Sequence, residues 1–169
     1  LTEWLGELGT GFGDYFDRQE RISLRHIRVN CNWNLAINSF VEGYHTRYIH
    51  RNTMPDYQGG KANRQRHRPF MQLLELHTRY SPPANPDHKL SPAEAIAFRH
   101  GPRLLPAAVF DNSTLPEAVN PSRAEHWLFD VVQLFPNLVL LLGQNWHTEL
   151  LFWPVAPDET LLIHRAYTY

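Results

Sequence analysis

The chain has 169 residues, 43% of them hydrophobic and 12% aromatic, enough for one domain with a sizeable core. Its net charge of −1 and isoelectric point near 6.9 give no electrostatic case for nucleic acid or an anionic membrane as partner. A single cysteine, Cys31, excludes an internal disulfide and a cysteine-rich metal cluster, and it fits a reducing cytoplasm.

The elements read as follows in chain order. Residues 1–16, LTEWLGELGTGFGDYF, are rich in glycine and aromatics and are expected to wrap on the surface. Residues 22–30, ISLRHIRVN, alternate apolar and polar side chains as a half-buried strand does. Residues 32–48, NWNLAINSFVEGYHTRY, have helical spacing, with Trp33, Ile37, Phe40, Val41, Tyr44 and Tyr48 on one side. Residues 64–68, RQRHR, are the nearest thing to a block of like charge and read as a solvated loop. Residues 70–78 read as a strand, and the four prolines of residues 81–92 mark a loop.

A short helix is expected over residues 91–101, with Ser91 as cap, Pro92 at the first helical position, Glu94 completing a capping box and Gly101 as the stop. Strands follow over residues 126–135, over 138–155 as a pair turning near 143–145, and over 160–169, with a turn at 157–159. Strand, helix, strand, small helix, then a strand meander argues an α+β fold with an antiparallel sheet. The apolar run at 134–142 is interrupted by Pro136 and Asn137 and is too short to span a bilayer. No secretory leader is visible, so the expected location is cytoplasmic. A start at Leu1 suggests a segment of a longer protein.

The polar residues of the first helical stretch carry the chemistry. On a continuous helix Asn38, Glu42 and His45 form one stripe at i, i+4, i+7, spread over about 60°. That stripe flanks the apolar side, where a polar group needs a partner or a task. His50 then lies about 140° from His45, so their rings share a point only if the helix breaks. Two imidazoles and a carboxylate suit a divalent metal, non-haem Fe(II) among others. By spacing alone, histidines hydrogen-bonded to their neighbours are the better explanation, since His-x4-His is a weak signal beside HExxH.

The string NWNLAINSFVEGYHTRYIH resembles the segment NWK-x3-[EDN]-x-[FY]-x-[ED]-x-YH-x4-H of the Rieske-type non-haem iron ring-hydroxylating oxygenases, in the catalytic domain of the large (alpha) subunit. The residues that carry it are Asn32, Trp33, Phe40, Glu42, Tyr44, His45 and His50. Residues 135–137 (FPN), 152–155 (FWPV) and 158–169 are also similar to that family's sheet. The resemblance implies a helix-grip fold: a curved antiparallel sheet holding a long C-terminal helix, whose absence would expose residues 138–142 and 150–153.

It also implies that His45 and His50 are ligands of a mononuclear Fe(II). Glu42 would stand where the family has an acid, most often Asp, that hydrogen-bonds a ligand histidine and links the iron to a Rieske cluster across a subunit interface. Asn38 would line the pocket near the iron. One cysteine cannot hold a Rieske [2Fe–2S] cluster, so that domain is expected upstream, and the third iron ligand, an Asp, beyond Tyr169. The implied reaction is hydroxylation, dihydroxylation or oxidative demethylation of a small organic, often aromatic, molecule with O2. A reductase or ferredoxin would supply electrons to a full-length trimer, and the fragment alone would be inactive.

Other classes are weaker. A helix-grip carrier of a hydrophobic ligand would use His45 and His50 as ordinary lining, and a zinc hydrolase would use them as ligands. Neither a G-x-S-x-G elbow nor a glycine-rich nucleotide loop in strand–helix context is present. His26, His77, His126, His147 and His164 alternate with apolar residues and read as boundary or solvent-face positions, with His147 a candidate pocket residue.

Overall fold

Alternating apolar residues ordinarily bury one side chain in two, yet residues 20–29, expected to include a half-buried strand, form one that is exposed along nearly its whole length, with Ile22, Leu24 and Ile27 all exposed. The computed structural model describes residues 2–50, 69–85, 112–125 and 127–168, with Lys89, Pro92, Ala95 and Ile96. Residues 64–68, most of the helix expected over 91–101, and His126 lie outside the described residues. Among the described residues seven strands form one antiparallel sheet in the order β1-β7-β6-β5-β4-β3-β2. They are β1 (Glu20–Val29), β2 (Phe70–Leu73), β3 (Thr78–Ser81), β4 (Asp130–Leu134), β5 (Leu138–Leu142), β6 (Trp146–Ala156) and β7 (Glu159–Thr168). The antiparallel α+β reading holds, and the turn at 143–145 falls where expected. Pro154 is accommodated in β6 because the β6–β7 register shifts between Pro154 and Ala156.

One expected strand, over residues 70–78, is in fact a hairpin of β2 and β3, closed by the Leu74 N–H donating to the His77 carbonyl at 2.9 Å. The turn escapes sequence reading because Leu74–Glu75–Leu76 contains no Gly, Pro or Asn.

The N-terminal segment also differs from expectation. It forms α1 (Thr2–Leu5) and α2 (Leu8–Gly11), and Leu8, Phe12 and Tyr15 enter the core. Their spacing of four and three residues is helical, a signal masked by the intervening glycines. With Leu115, Val119 and Trp127 they cover Val132, Leu140 and Leu142 on one sheet face. The Tyr15 hydroxyl donates to the Gly143 carbonyl at 2.6 Å, with the Trp146 carbonyl at 2.7 Å, and so pins the segment to the β5–β6 turn. Gly143 is required there because a Cβ would meet the Trp146 Nε1 at 2.1 Å.

The opposite face carries Val131, Val139, Leu150 and Phe152 beneath Ala36 and Ile37 of α3 (Trp33–Asn38). Ile37 and Phe152 are fully buried, each stabilising the fold by roughly 1.5–3 kcal/mol. Residues 138–142 and 150–153 are therefore mostly covered rather than exposed, and of these Trp153 alone is strongly exposed, at 49%.

Two of the histidines read as solvent-face positions are buried. The His77 Nδ1 accepts from the Phe135 N–H at 3.1 Å and its Nε2 donates to the Trp4 carbonyl at 2.8 Å. The His147 Nδ1 donates to the Gln19 side chain at 2.9 Å, and the ring stacks on Tyr167. His147 pairs with Leu142, on the face away from α3. A period of two cannot tell which face of a strand is covered, and in the central strands β4 and β5 both are.

Candidate metal centre

Asn32 begins the site. Its side chain accepts from the Asn34 N–H at 2.9 Å, capping α3, and its amide donates to the Pro157 carbonyl at 2.8 Å. The Thr160 hydroxyl donates to the Cys31 carbonyl at 2.8 Å beside it. These bonds fix the helix start to the β6–β7 end of the sheet.

The continuous helix expected over residues 32–48 does not form. α3 ends at Asn38, and α4 (Thr46–Ile49) is a single turn. The Ser39 hydroxyl donates back to the Ala36 carbonyl at 2.7 Å, a local bond that competes with helical continuation. Glu42 then accepts from the Tyr44 and His45 N–H groups with one carboxylate oxygen, acting as a cap for the turn that follows. The i, i+4, i+7 stripe is thus replaced by a bent segment. Tyr44 and Tyr48, expected on the buried side, are 85% and 73% exposed, whereas Thr46 is buried at 8%.

The break brings the histidines together. His45 and His50 flank the single turn of α4, with ring centres 5.2 Å apart and planes at 66°. A nitrogen about 2.1 Å from an ion puts its ring centre about 3.2 Å away, so two rings at roughly 90–110° lie about 4.5–5.3 Å apart. The observed spacing fits two imidazoles on one ion. The His45 Nδ1 donates to the second carboxylate oxygen of Glu42. That bond fixes the tautomer and leaves Nε2 as the nitrogen to meet a metal. Burial alone would raise the Glu42 carboxyl, but the His45 ring and the two N–H groups outweigh it and hold the group below its ordinary value.

Asn38 lines the same open cleft of about 760 Å³ as Glu42, His45 and His50. Most of the rest is apolar, from Leu35, Phe40, Ile49, Tyr80, Phe129, Val131 and Leu141. All four residues singled out in the sequence therefore share one cleft. The strand residues Tyr80, Phe129, Val131 and Leu141 carry no sequence signal that separates them from ordinary core. Among the described residues no third His, Cys, Asp or Glu joins the pair to complete a metal group. Asp130 is buried on the other sheet face, and Glu159 pairs with Arg28.

The fold and the site together define an α+β domain with an acid-backed histidine pair beside an apolar cleft. The sequence matches the ring hydroxylating alpha subunit (catalytic domain) family over residues 16–169, and the chain belongs to that family. No curated protein matches it. Its fold is similar to that of naphthalene 1,2-dioxygenase from Rhodococcus sp. bound to indole, with a TM-score of 0.67 at 18% identity, covering 100% of this chain and 40% of that one. A quaternary ammonium Rieske monooxygenase in complex with L-carnitine gives a TM-score of 0.61 at 12% identity, covering 99% and 35%. A variant of naphthalene 1,2-dioxygenase bound to phenanthrene gives 0.60 at 14%, covering 99% and 39%. The chain thus spans two fifths or less of the length of these solved structures. Among the described residues no helix is long and apolar enough to cross a membrane.

Proposed function

We propose that this chain is part of the catalytic domain of a mononuclear Fe(II)-dependent oxygenase. Its reaction is hydroxylation, dihydroxylation or oxidative demethylation of a small organic, often aromatic, substrate with O2. The observation that carries this reading is the convergence of His45 and His50, with Glu42 behind His45, on one apolar cleft. His45 and His50 would hold the iron, with a third ligand from outside the described residues. When bound, the iron supplies the O2 chemistry that no side chain can.

The protein's own contributions follow from the contacts. Glu42 orients the His45 ring and holds its Nδ1 proton. Phe40, Phe129, Val131 and Leu141 favour an apolar molecule over water in the cleft. Asn38 offers an amide at its rim. Electrons would come from a Rieske [2Fe–2S] centre in the full-length protein, fed by a reductase or ferredoxin, with a trimer as the working assembly.

In the full-length protein, His45→Ala and His50→Ala each reduce substrate-coupled O2 consumption to background while the unfolding temperature stays near that of the parent. Turnover that survives both substitutions would overturn the assignment.

A further inference from the structure

Two clefts flank the segment that carries Glu42 and His45. The larger is the 760 Å³ cleft with the histidine pair. The smaller, about 370 Å³, is lined in part by Val41, Tyr44, Met71 and Pro83. Three residues line both: Glu42, Thr46 and Tyr80. Glu42 is engaged with His45 and the turn, and Thr46 is buried at the start of α4. Tyr80 comes from a different element. It sits in β3 opposite Val131 of β4 and packs against the core cluster beneath α3.

The phenol reaches the main chain of the turn. Its hydroxyl oxygen lies 2.5 Å, and its Cζ 3.2 Å, from the point that a Cβ on Gly43 would occupy. Gly43 is not among the residues with positive φ, so the phenol and not the backbone excludes a side chain there. No gap for another atom is left between Tyr80 and Gly43. Burial, reinforced by the neighbouring Glu42, raises the Tyr80 phenol above its ordinary value and keeps it protonated at neutral pH.

We infer that Tyr80 is a specificity-determining partition that closes the histidine-bearing cleft against Gly43 and limits the length of a flat, neutral aromatic substrate. The inference rests on the reading of the larger cleft as the substrate site. A planar molecule with one edge at the histidine pair abuts the phenol. Removing the ring joins the two clefts and lets a longer molecule slide past the pair. An apolar pocket discriminates by size through such steric stops, typically by about 10–200-fold.

The test is equilibrium binding of naphthalene and anthracene, two and three rings in line, to metal-free full-length protein, followed by ligand fluorescence. The parent protein is expected to prefer naphthalene. Tyr80→Ala shifts the affinity ratio toward anthracene by about tenfold or more, whereas Tyr80→Phe keeps the ring and leaves the ratio within about threefold. Tyr80→Leu, which retains part of the core contact, gives the same direction of shift if the alanine variant does not fold. An unchanged ratio in the shortened variants, an equal shift in Tyr80→Phe, or no binding of either hydrocarbon by the parent overturns the inference. Because the protein is metal-free, these outcomes are independent of iron. Loss of the inference with His45-dependent turnover intact leaves the oxygenase reading standing, and a Tyr80-dependent ratio without iron-dependent turnover removes that reading alone.

Discussion

Asp130→Ala lowers the stability of the domain by roughly 3–5 kcal/mol. Asp130 is fully buried at the start of β4. One carboxylate oxygen accepts from the Ser81 hydroxyl at 2.6 Å and the Trp127 indole at 2.8 Å, and the other from the Asn120 N–H at 2.8 Å. The residue therefore ties β3 and β4 to Asn120 and Trp127 on the face opposite the histidines. Burial pushes its carboxyl up, while those hydrogen bonds and the charge of Arg79 pull the other way without cancelling the rise. Removing the acceptor strands buried donors and opens a cavity. Asp130→Asn keeps the volume but turns an NH2 group toward a donor, so it costs less than alanine yet more than 1 kcal/mol, roughly. Chemical denaturation of the full-length protein followed by tryptophan fluorescence reads both values. An alanine variant within about 1 kcal/mol of the parent would show that the network does not hold the fold.

The second large effect is on metal affinity. Glu42→Ala weakens binding of Fe(II), or of Co(II) as its spectroscopic substitute, by about 10–100-fold in the full-length protein. Two losses combine. The His45 ring loses the acceptor of its Nδ1 proton, and the Tyr44 and His45 N–H groups lose the carboxylate that caps their turn. Glu42→Gln keeps an oxygen for only one of these tasks, so its affinity falls between parent and alanine. Equilibrium dialysis under anaerobic conditions measures the series. Equal affinity across all three proteins would mean that Glu42 does not position a ligand.

The four residues that share the cleft stand out in the sequence, but their geometry does not. Spacing alone does not separate His45 and His50 from ordinary hydrogen-bonded histidines; the resemblance carried by Asn32, Trp33, Glu42, Tyr44, His45 and His50 nominates them. Helical periodicity alone placed them wrongly. It sets Asn38, Glu42 and His45 on one stripe and His50 far round the helix, since no Pro marks the break. The break comes from side chains bonding to their own backbone at Ser39 and Glu42, which a periodicity count does not see. In the sheet, the strands from β4 to β7 stand out because turn residues separate them at 136–137, 143–145 and 157–158, although β4 is shorter than the strand expected over 126–135. The hairpin at residues 70–81 was read as one strand for want of such a marker. Tyr80, Phe129 and Leu141 line the cleft, but which face of a strand meets the cleft is set by register with its neighbours, information that no single strand contains.

The most direct measurement is the metal content of the full-length protein after anaerobic reconstitution with Fe(II), beside the His45→Ala/His50→Ala double variant. One mononuclear iron per chain beyond the iron of any cluster is expected, lost in the variant. Equal iron in the two proteins would contradict the metal assignment, and would leave the apolar cleft as a binding pocket for a hydrophobic ligand.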